Sequence, residues 1–225
     1  MDGLLVVDKP RGITSRRAVD VVRRLTRERV AGHGGTLDPL AEGVLIVALG
    51  RATRLLEYLS SLDKRYAVTA VLGSTSATDD AEGPVEVEDP APDLSVAHIE
   101  ETLASLRGEI SQRPPAFSAV SVDGQRLYAA ARAGRAVEAP PRTVTVFDLR
   151  LVAWESPRLE LAVHCSKGTY VRSLVRDLGE RLGCGAYVEV LRRDAIGEIR
   201  REDAHTLAAL EAAQDRIGSV VLPPT

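Results

Sequence analysis

Along this chain short apolar runs alternate with polar punctuation, and the period of the pattern keeps switching. Residues 3–7 form an apolar strand candidate, and Asp8-Lys9-Pro10-Arg11-Gly12 has the composition of a turn. Thr14 or Ser15 can cap a helix running to about Val30, with Val19, Val22 and Leu25 on its apolar side. A glycine-rich stretch then leads into residues 44–49, apolar at every position, which read as a buried strand. Residues 53–62 return to helical spacing through Leu55, Leu56 and Leu59. Residues 64–73 alternate, placing Tyr66, Val68, Ala70 and Leu72 on one face of a strand.

The second half is less regular. Residues 74–92 are acidic, contain Gly and Pro, and read as an exposed excursion; residues 94–106 are helical. Residues 114–142 mix Ser, Gly and Pro with basic residues around a short helix candidate, 127–132, and read as an insertion. Residues 143–154 and 159–165 are strands by alternation and β-branching. Ser166-Lys167-Gly168-Thr169 is a turn able to cap the next helix. There Val171, Leu174, Val175, Leu178 and Leu182 share a stripe, and Arg172, Arg176 and Arg181 lie off it, Arg172 in a position that permits a solvent-facing role. Gly183 and Gly185 end that helix, residues 187–192 are another strand, and 207–213 a last helix. Strands and helices interleave irregularly, which predicts an α+β fold with a mixed, largely antiparallel sheet flanked by helices.

Composition narrows the class. The chain has 225 residues, 44% of them hydrophobic, enough for one sizeable domain. No run of about 18 apolar residues exists to propose a membrane span. Cys165 and Cys184 are too few for a disulfide scaffold or a cysteine zinc site and read as buried free thiols of a cytoplasmic protein. Neither GxGxxG nor a P-loop motif occurs, and no His/Cys spacing suggests a metal. The net charge of −3 hides a strong segregation. Residues 9–29 carry eight basic and two acidic side chains, 113–142 carry five and two, and 74–110 carry ten acidic residues against Arg107 alone. Basic surfaces of this kind attract phosphate, although each charged stretch is equally readable as a solvated face.

The stretch with most chemistry in it is Gly32-His33-Gly34-Gly35-Thr36-Leu37-Asp38-Pro39-Leu40-Ala41-Glu42-Gly43-Val44-Leu45. Its glycines permit sharp turns or close approach of a partner. Pro39 pushes Asp38 out of the helical region and so fixes where the carboxylate points. Asp followed by Pro is also how a helical turn begins, with Asp as N-cap, and spacing alone leaves both roles open.

This stretch resembles the catalytic motif G-H-x-G-x-L-D-P-x-A-x-G-x-L of the TruB family, the bacterial tRNA pseudouridine-55 synthases. The resemblance continues in order. Residues 3–15 are similar to the family's first motif, an apolar strand and then D-K-P-x-G-x-[ST]-S; Lys64-Arg65-Tyr66 is similar to K-x-Y. Pro114, Ser118, Ala119, Gly124 and Tyr128 follow the order of its RNA-gripping insertion. Cys165-Ser166-Lys167-Gly168-Thr169-Tyr170-Val171-Arg172 is similar to C-S-x-G-T-Y-[IV]-R, and Leu191-Arg192-Arg193 to L-R-R. The match covers roughly residues 3–200.

The resemblance implies a pseudouridine-synthase fold over residues 1–205, with an insertion at about 113–142 and a short tail, 206–225, in place of the PUA-type domain that family members commonly carry. It implies an isomerase that flips uridine 55 out of the TΨC loop of tRNA and rearranges its glycosidic bond, needing neither cofactor nor metal. Asp38 takes the catalytic role. Tyr66 stacks on the base, Tyr170 is the second active-site tyrosine, and Arg172 is placed to pair with the aspartate. Leu191 lines the base pocket, His33 fills the space of the flipped nucleotide, and Lys9 contacts phosphate or supports the loop. The expected partner is the T-arm of tRNA, bound by a monomer. Two alternatives stand beside this: a tRNA-folding protein that acts without chemistry, and a pseudouridine synthase with another RNA target.

Overall fold

A computed structural model of the chain describes residues 1–87, 93–118, 121–122, 125–126 and 139–223. The helix candidate 127–132, the insertion positions Ala119, Gly124 and Tyr128, and the end of the acidic stretch, 88–92, lie outside the described residues. In chain order the elements are β1 (Gly3–Lys9), α1 (Ser15–Thr26), β2 (Ala31–His33), β3 (Glu42–Leu49), α2 (Leu56–Ser61), β4 (Lys64–Leu72), β5 (Ser74–Ser76) and β6 (Val85–Val87). There follow α3 (Val96–Ala104), β7 (Gly108–Gln112), the two-residue strands β8 (Ser121–Val122) and β9 (Gln125–Arg126), β10 (Arg142–Glu155), β11 (Arg158–Cys165) and α4 (Val171–Leu182). The chain continues through β12 (Ala186–Ile196), β13 (Ile199–Arg200), β14 (His205–Thr206) and α5 (Leu207–Ala212). It divides into two compact units, Met1–Tyr66 with Leu191–Thr225, and Ala67–Val190.

The first unit is built on β1 and β3, paired antiparallel from Gly3 against Leu49 to Lys9 against Gly43. Both strands are apolar on both faces because both faces are covered. Leu5, Val7, Leu45, Val47 and Leu49 pack with Val19, Val22 and Leu25 of α1, Leu210 of α5, and Ile217. Val6, Val44 and Ile46 form the opposite cluster with Ile196. A strand with two buried faces cannot alternate, which is the physical reason for the uninterrupted run at 44–49. Thr14 is the cap of α1, accepting the Arg17 amide at 3.1 Å. The helix stops at Thr26, four residues short of expectation, where Arg27 turns to a left-handed φ of 55°.

The second unit sets β10 antiparallel between β11 and β7. A bulge between Val146 and Asp148 advances the inward alternation by one residue, so that Val144, Val146 and Leu149 are all buried. The apolar stripe expected on α4 is buried along its length, and Gly183 ends the helix with φ 71°. Arg172, however, is buried, not solvent-facing. The cap differs too: Tyr170 occupies the N-cap without a side-chain bond, while Thr169 Oγ1 donates back to the Ser166 carbonyl at 2.9 Å. The acidic stretch also departs from a plain exposed excursion. Residues 74–76 and 85–87 pair as a hairpin, and Asp80 is 1% exposed.

Gly43 sits at the crowded point of the first unit, where β12 runs parallel to β3 with Arg193 opposite Gly43. Its φ is +100°, and a Cβ there would strike the Arg193 backbone carbonyl. Gly43→Ala is expected to cost about 2–4 kcal/mol in urea denaturation, combining left-handed strain with a backbone clash. A variant as stable as the parent would mean that β12 shifts freely there.

Candidate active site

Asp38 lies on the connection between β2 and β3, and its backbone is fastened at almost every residue. The Gly34 amide donates to the Ile46 carbonyl at 2.9 Å. Ser15 Oγ both accepts the Leu37 amide at 2.8 Å and donates to the Leu37 carbonyl at 2.9 Å. The Gly12 amide donates to the Pro39 carbonyl at 2.8 Å, and the Ala41 amide to the Asp38 carbonyl at 3.1 Å. That last bond closes one turn and no helix follows, since β3 starts at Glu42; of the two roles open to Asp38, helix capping is therefore absent. Leu37 and Leu40 are buried on either side, and Asp38 itself is half-buried. All these bonds fall on the backbone and leave the carboxylate to other partners.

Two buried cations complete the fastening. Lys9 is fully buried, and its ammonium donates to the carbonyls of Pro10 at 2.9 Å, Ile13 at 2.7 Å and Pro39 at 3.5 Å. Three acceptors suit its three protons, which makes burial of the charge tolerable. Arg193 is 1% exposed; its Nε donates to the Val44 carbonyl at 2.8 Å, Nη1 to Thr36 at 3.4 Å and Nη2 to Gly35 at 3.1 Å. The planar fork can serve three carbonyls at once, as a point-like ammonium could not. Gly35 takes φ +98° beside it, one place where the loop's glycines are required by conformation.

His33 closes β2 opposite Val47 and has a buried Nδ1 with no partner among the described residues. Burial, then the positive charges of Arg193 and Arg16, hold its pKa below the ordinary histidine value. Tyr66 is half-buried on β4, and Leu191 is buried on β12. Lys9, His33 and Asp38 thus gather around one loop of the first unit, which also contains Tyr66 and Leu191.

Tyr170 and Arg172 stand together at the start of α4 in the second unit. Arg172 is 4% exposed; Nη1 lies 3.2 Å from Asp80 Oδ2 and donates to the Thr78 carbonyl at 2.8 Å, and Nη2 donates to the Phe117 carbonyl at 2.9 Å. Asp80 Oδ1 accepts Thr78 Oγ1 at 2.6 Å and the Glu82 amide at 3.0 Å. Asp79 lies 2.9 Å from Arg176, one turn along the same helix. Consecutive residues of an extended chain point opposite ways, and the left-handed φ of 59° at Asp79 is what departs from that conformation here. Burial pushes the Asp79 carboxyl above its usual range, against the pull of Arg176 and Arg172. At Tyr170 the side-chain amide of fully buried Gln112 bonds the backbone twice, donating to the carbonyl at 3.0 Å and accepting the amide at 2.8 Å. The Arg142 guanidinium lies 5.3 Å from the centre of the Tyr170 ring.

Sequence reasoning missed Arg193, Ser15, Asp80 and Gln112 as supports. Arg193 was visible only as part of L-R-R, Ser15 as a helix cap, and Asp80 as one acid among many; Gln112 carried no signal. Among the described residues no group of three or more His, Cys, Asp or Glu could hold a metal ion, and no helix is long and apolar enough to cross a membrane.

Comparison with known proteins identifies the class to which a chain with this fold belongs. A family model described as TruB family pseudouridylate synthase (N terminal domain) matches residues 23–171, and another, described as tRNA pseudouridylate synthase B C-terminal domain, matches residues 172–223. The chain is 49% identical over 219 residues to tRNA pseudouridine synthase B of Pseudomonas fluorescens (strain Pf0-1), covering 97% of this chain and 72% of that protein. It is 46% identical over 224 residues to the protein of the same name from Azoarcus sp. (strain BH72), covering 100% and 74%. Among solved structures it resembles a chain of a Cbf5-Nop10-Gar1 complex, with a TM-score of 0.75 and 29% identity over 98% of this chain and 60% of that one. A chain of an archaeal box H/ACA sRNP Nop10-Cbf5 complex gives a TM-score of 0.72 at 27% identity over 98% and 59%. This chain thus spans about three fifths of the length of those two chains. It belongs to the TruB family of pseudouridylate synthases.

Arg193→Lys keeps the charge and loses the fork. It is expected to lower stability to urea by about 1–3 kcal/mol, the worth of charge-assisted bonds that one ammonium cannot reproduce; unchanged stability would show that the clamp holds nothing. For His33 the native state disfavours the proton that the unfolded state accepts. Its contribution is intact above the ordinary histidine pKa and is lost as pH falls through that value toward the depressed one. His33→Gln should therefore melt with a shallower dependence on pH than the parent between about pH 7 and 5, and equal slopes would contradict this.

Proposed function

We propose that the protein converts uridine to pseudouridine at position 55 in the TΨC loop of tRNA, in the cytoplasm and as a monomer. The observation that carries this reading is the Asp38 loop. A carboxylate is presented on a backbone fastened from Gly34 to Ala41 in a chain whose family is the TruB pseudouridylate synthases. The T-arm assignment rests on the ordered family motifs and is supported by the tRNA named in relatives 45–49% identical to this chain.

The chemistry asks for little beyond positioning. The N1–C1′ bond breaks, the base rotates, and C5 bonds to C1′; C5 then gives up its proton and N1 takes one. Every heavy atom of the product comes from the substrate, and no electrons are exchanged with a second molecule. An ionised carboxylate at the sugar serves as nucleophile or as the stabiliser of developing positive charge, and we assign that place to Asp38. A uridine inside a folded loop must leave its stack before any of this happens. Tyr66 supplies the stacking surface for the displaced base, Leu191 an apolar wall, and His33 a filler for the vacated space. Tyr170 is the second tyrosine of the site. Arg172, oriented by Asp80, is the fixed cation assigned to the reaction. Lys9 acts through the loop it supports.

Unmodified tRNA tritiated at C5 of uridine tests this, because the reaction releases that label. Wild-type protein is expected to release tritium, with product mapping to position 55. Asp38→Asn should lower release at least about 10³-fold while still binding tRNA. Release by the variant at the parental rate would remove Asp38 from the chemistry, and tRNA binding without any release by the parent would favour a folding protein.

A further inference from the structure

We propose that Gln112 is a positioning residue for Tyr170, and that Arg142, its partner across the sheet, holds the tyrosine ring. The inference rests on Tyr170 belonging to the reactive site and assigns how it is held there.

The helix Val171–Leu182 begins without a cap. Its N-cap is Tyr170, whose side chain makes no capping bond, with φ −97° and ψ 110°. The turn before it, Ser166 to Thr169, uses its hydroxyls on itself and on the Thr145 amide at 2.9 Å, and gives nothing to the helix start. Here the primary amide of Gln112 bonds both its N–H and its carbonyl, as a neighbouring strand would. A carboxamide donates and accepts in a single plane from adjacent atoms, and so satisfies both at once. Gln112 is fully buried, so breaking the pair leaves both ends of its amide without these partners, while the Tyr170 carbonyl keeps the Leu174 amide, at 3.0 Å.

The second hold comes from the facing strand. Arg142 is the register partner of Gln112 in the antiparallel pair, and its guanidinium stands over the Tyr170 ring at 5.3 Å. Two directly opposed residues therefore grip one tyrosine, one at its backbone and the other at its ring. A ring held this way meets its substrate already oriented, and displacement by about 1 Å can cost on the order of 100-fold in rate.

The test compares Gln112→Met, which keeps the volume and removes both bonds, with Gln112→Asn, which keeps the amide on a shorter stem. A third variant, Val144→Ala, removes a buried side chain from the same strand pair and serves as the control for stability alone. At saturating tRNA, Gln112→Met is expected to lower kcat by about tenfold or more with the tRNA dissociation constant changed less than about twofold. Gln112→Asn recovers part of the loss, and Val144→Ala lowers the melting temperature without lowering kcat. Protein labelled with 3-fluorotyrosine supplies a readout independent of turnover. The Tyr170 resonance, assigned by Tyr170→Phe, shifts or broadens in Gln112→Met and in Arg142→Gln, and returns toward the parental position in Arg142→Lys. An unmoved resonance in Gln112→Met overturns the proposal, as does a kcat loss matched by Val144→Ala at equal loss of stability. If the parent releases no tritium from tRNA, the functional reading fails, and the fluorine resonance alone then decides whether Gln112 positions Tyr170.

Discussion

A guanidinium buried among backbone carbonyls is the constraint on which the first unit turns. Arg193 is satisfied by Gly35, Thr36 and Val44, three carbonyls that the loop and β3 leave pointing inward. Removing a charge of that kind from water is costly unless hydrogen bonds replace the solvent, so the loop must keep its carbonyls where they are as long as Arg193 is inside. The dependence runs both ways. Gly43 must lack a side chain because the Arg193 backbone passes against it, and His33 feels the charge as a pressure against its own protonation. The loop that carries Asp38 is what this arrangement holds in shape.

Lys9 repeats the device from the other side of the loop, through Pro39. Neither cation reaches solvent, so the rigidity of the segment owes little to surface ion pairs and is shielded from salt. The exposed arginines of α1 face water, two of them paired with Asp20 and Glu211, while the buried pair keeps the Asp38 loop in shape. Positive charge is thus divided between an exposed set that salt screens and a buried pair that salt barely reaches.

What was legible in the sequence follows from what physical pattern leaves in it. Strands covered on one or both faces and a helix with one apolar stripe write their burial into residue type, and residues 3–7, 44–49 and 171–182 were read correctly for that reason. Glycines, a proline and an aspartate in fixed order made the Asp38 loop legible as well. Arg193 was not legible as its support because carbonyls have no residue identity and Val44 is 149 residues away in the chain. Asp80 was hidden by company: an acid in an acidic stretch carries no sign that it is buried. Of the two hydroxyls able to cap α1, Thr14 does so, and that of Ser15 is used on both polar groups of Leu37. The end of α1 had no marker, since an arginine holds the left-handed position that glycine usually advertises.

The turn at Asp79 and Asp80 carries a mechanical meaning. A single ion pair between a loop and a helix is a pivot, about which the helix can still roll or slide by part of a turn. Here two successive carboxylates meet two arginines four residues apart, Arg172 and Arg176, on one helix. Two pins along an axis make a bracket: rolling would pull both out together, and sliding would bring each carboxylate against the wrong side chain. The bend at Asp79 is the stamped fold in that bracket, and through it the first turn of the helix, with the tyrosine ahead of it, acquires a fixed azimuth as well as a fixed place.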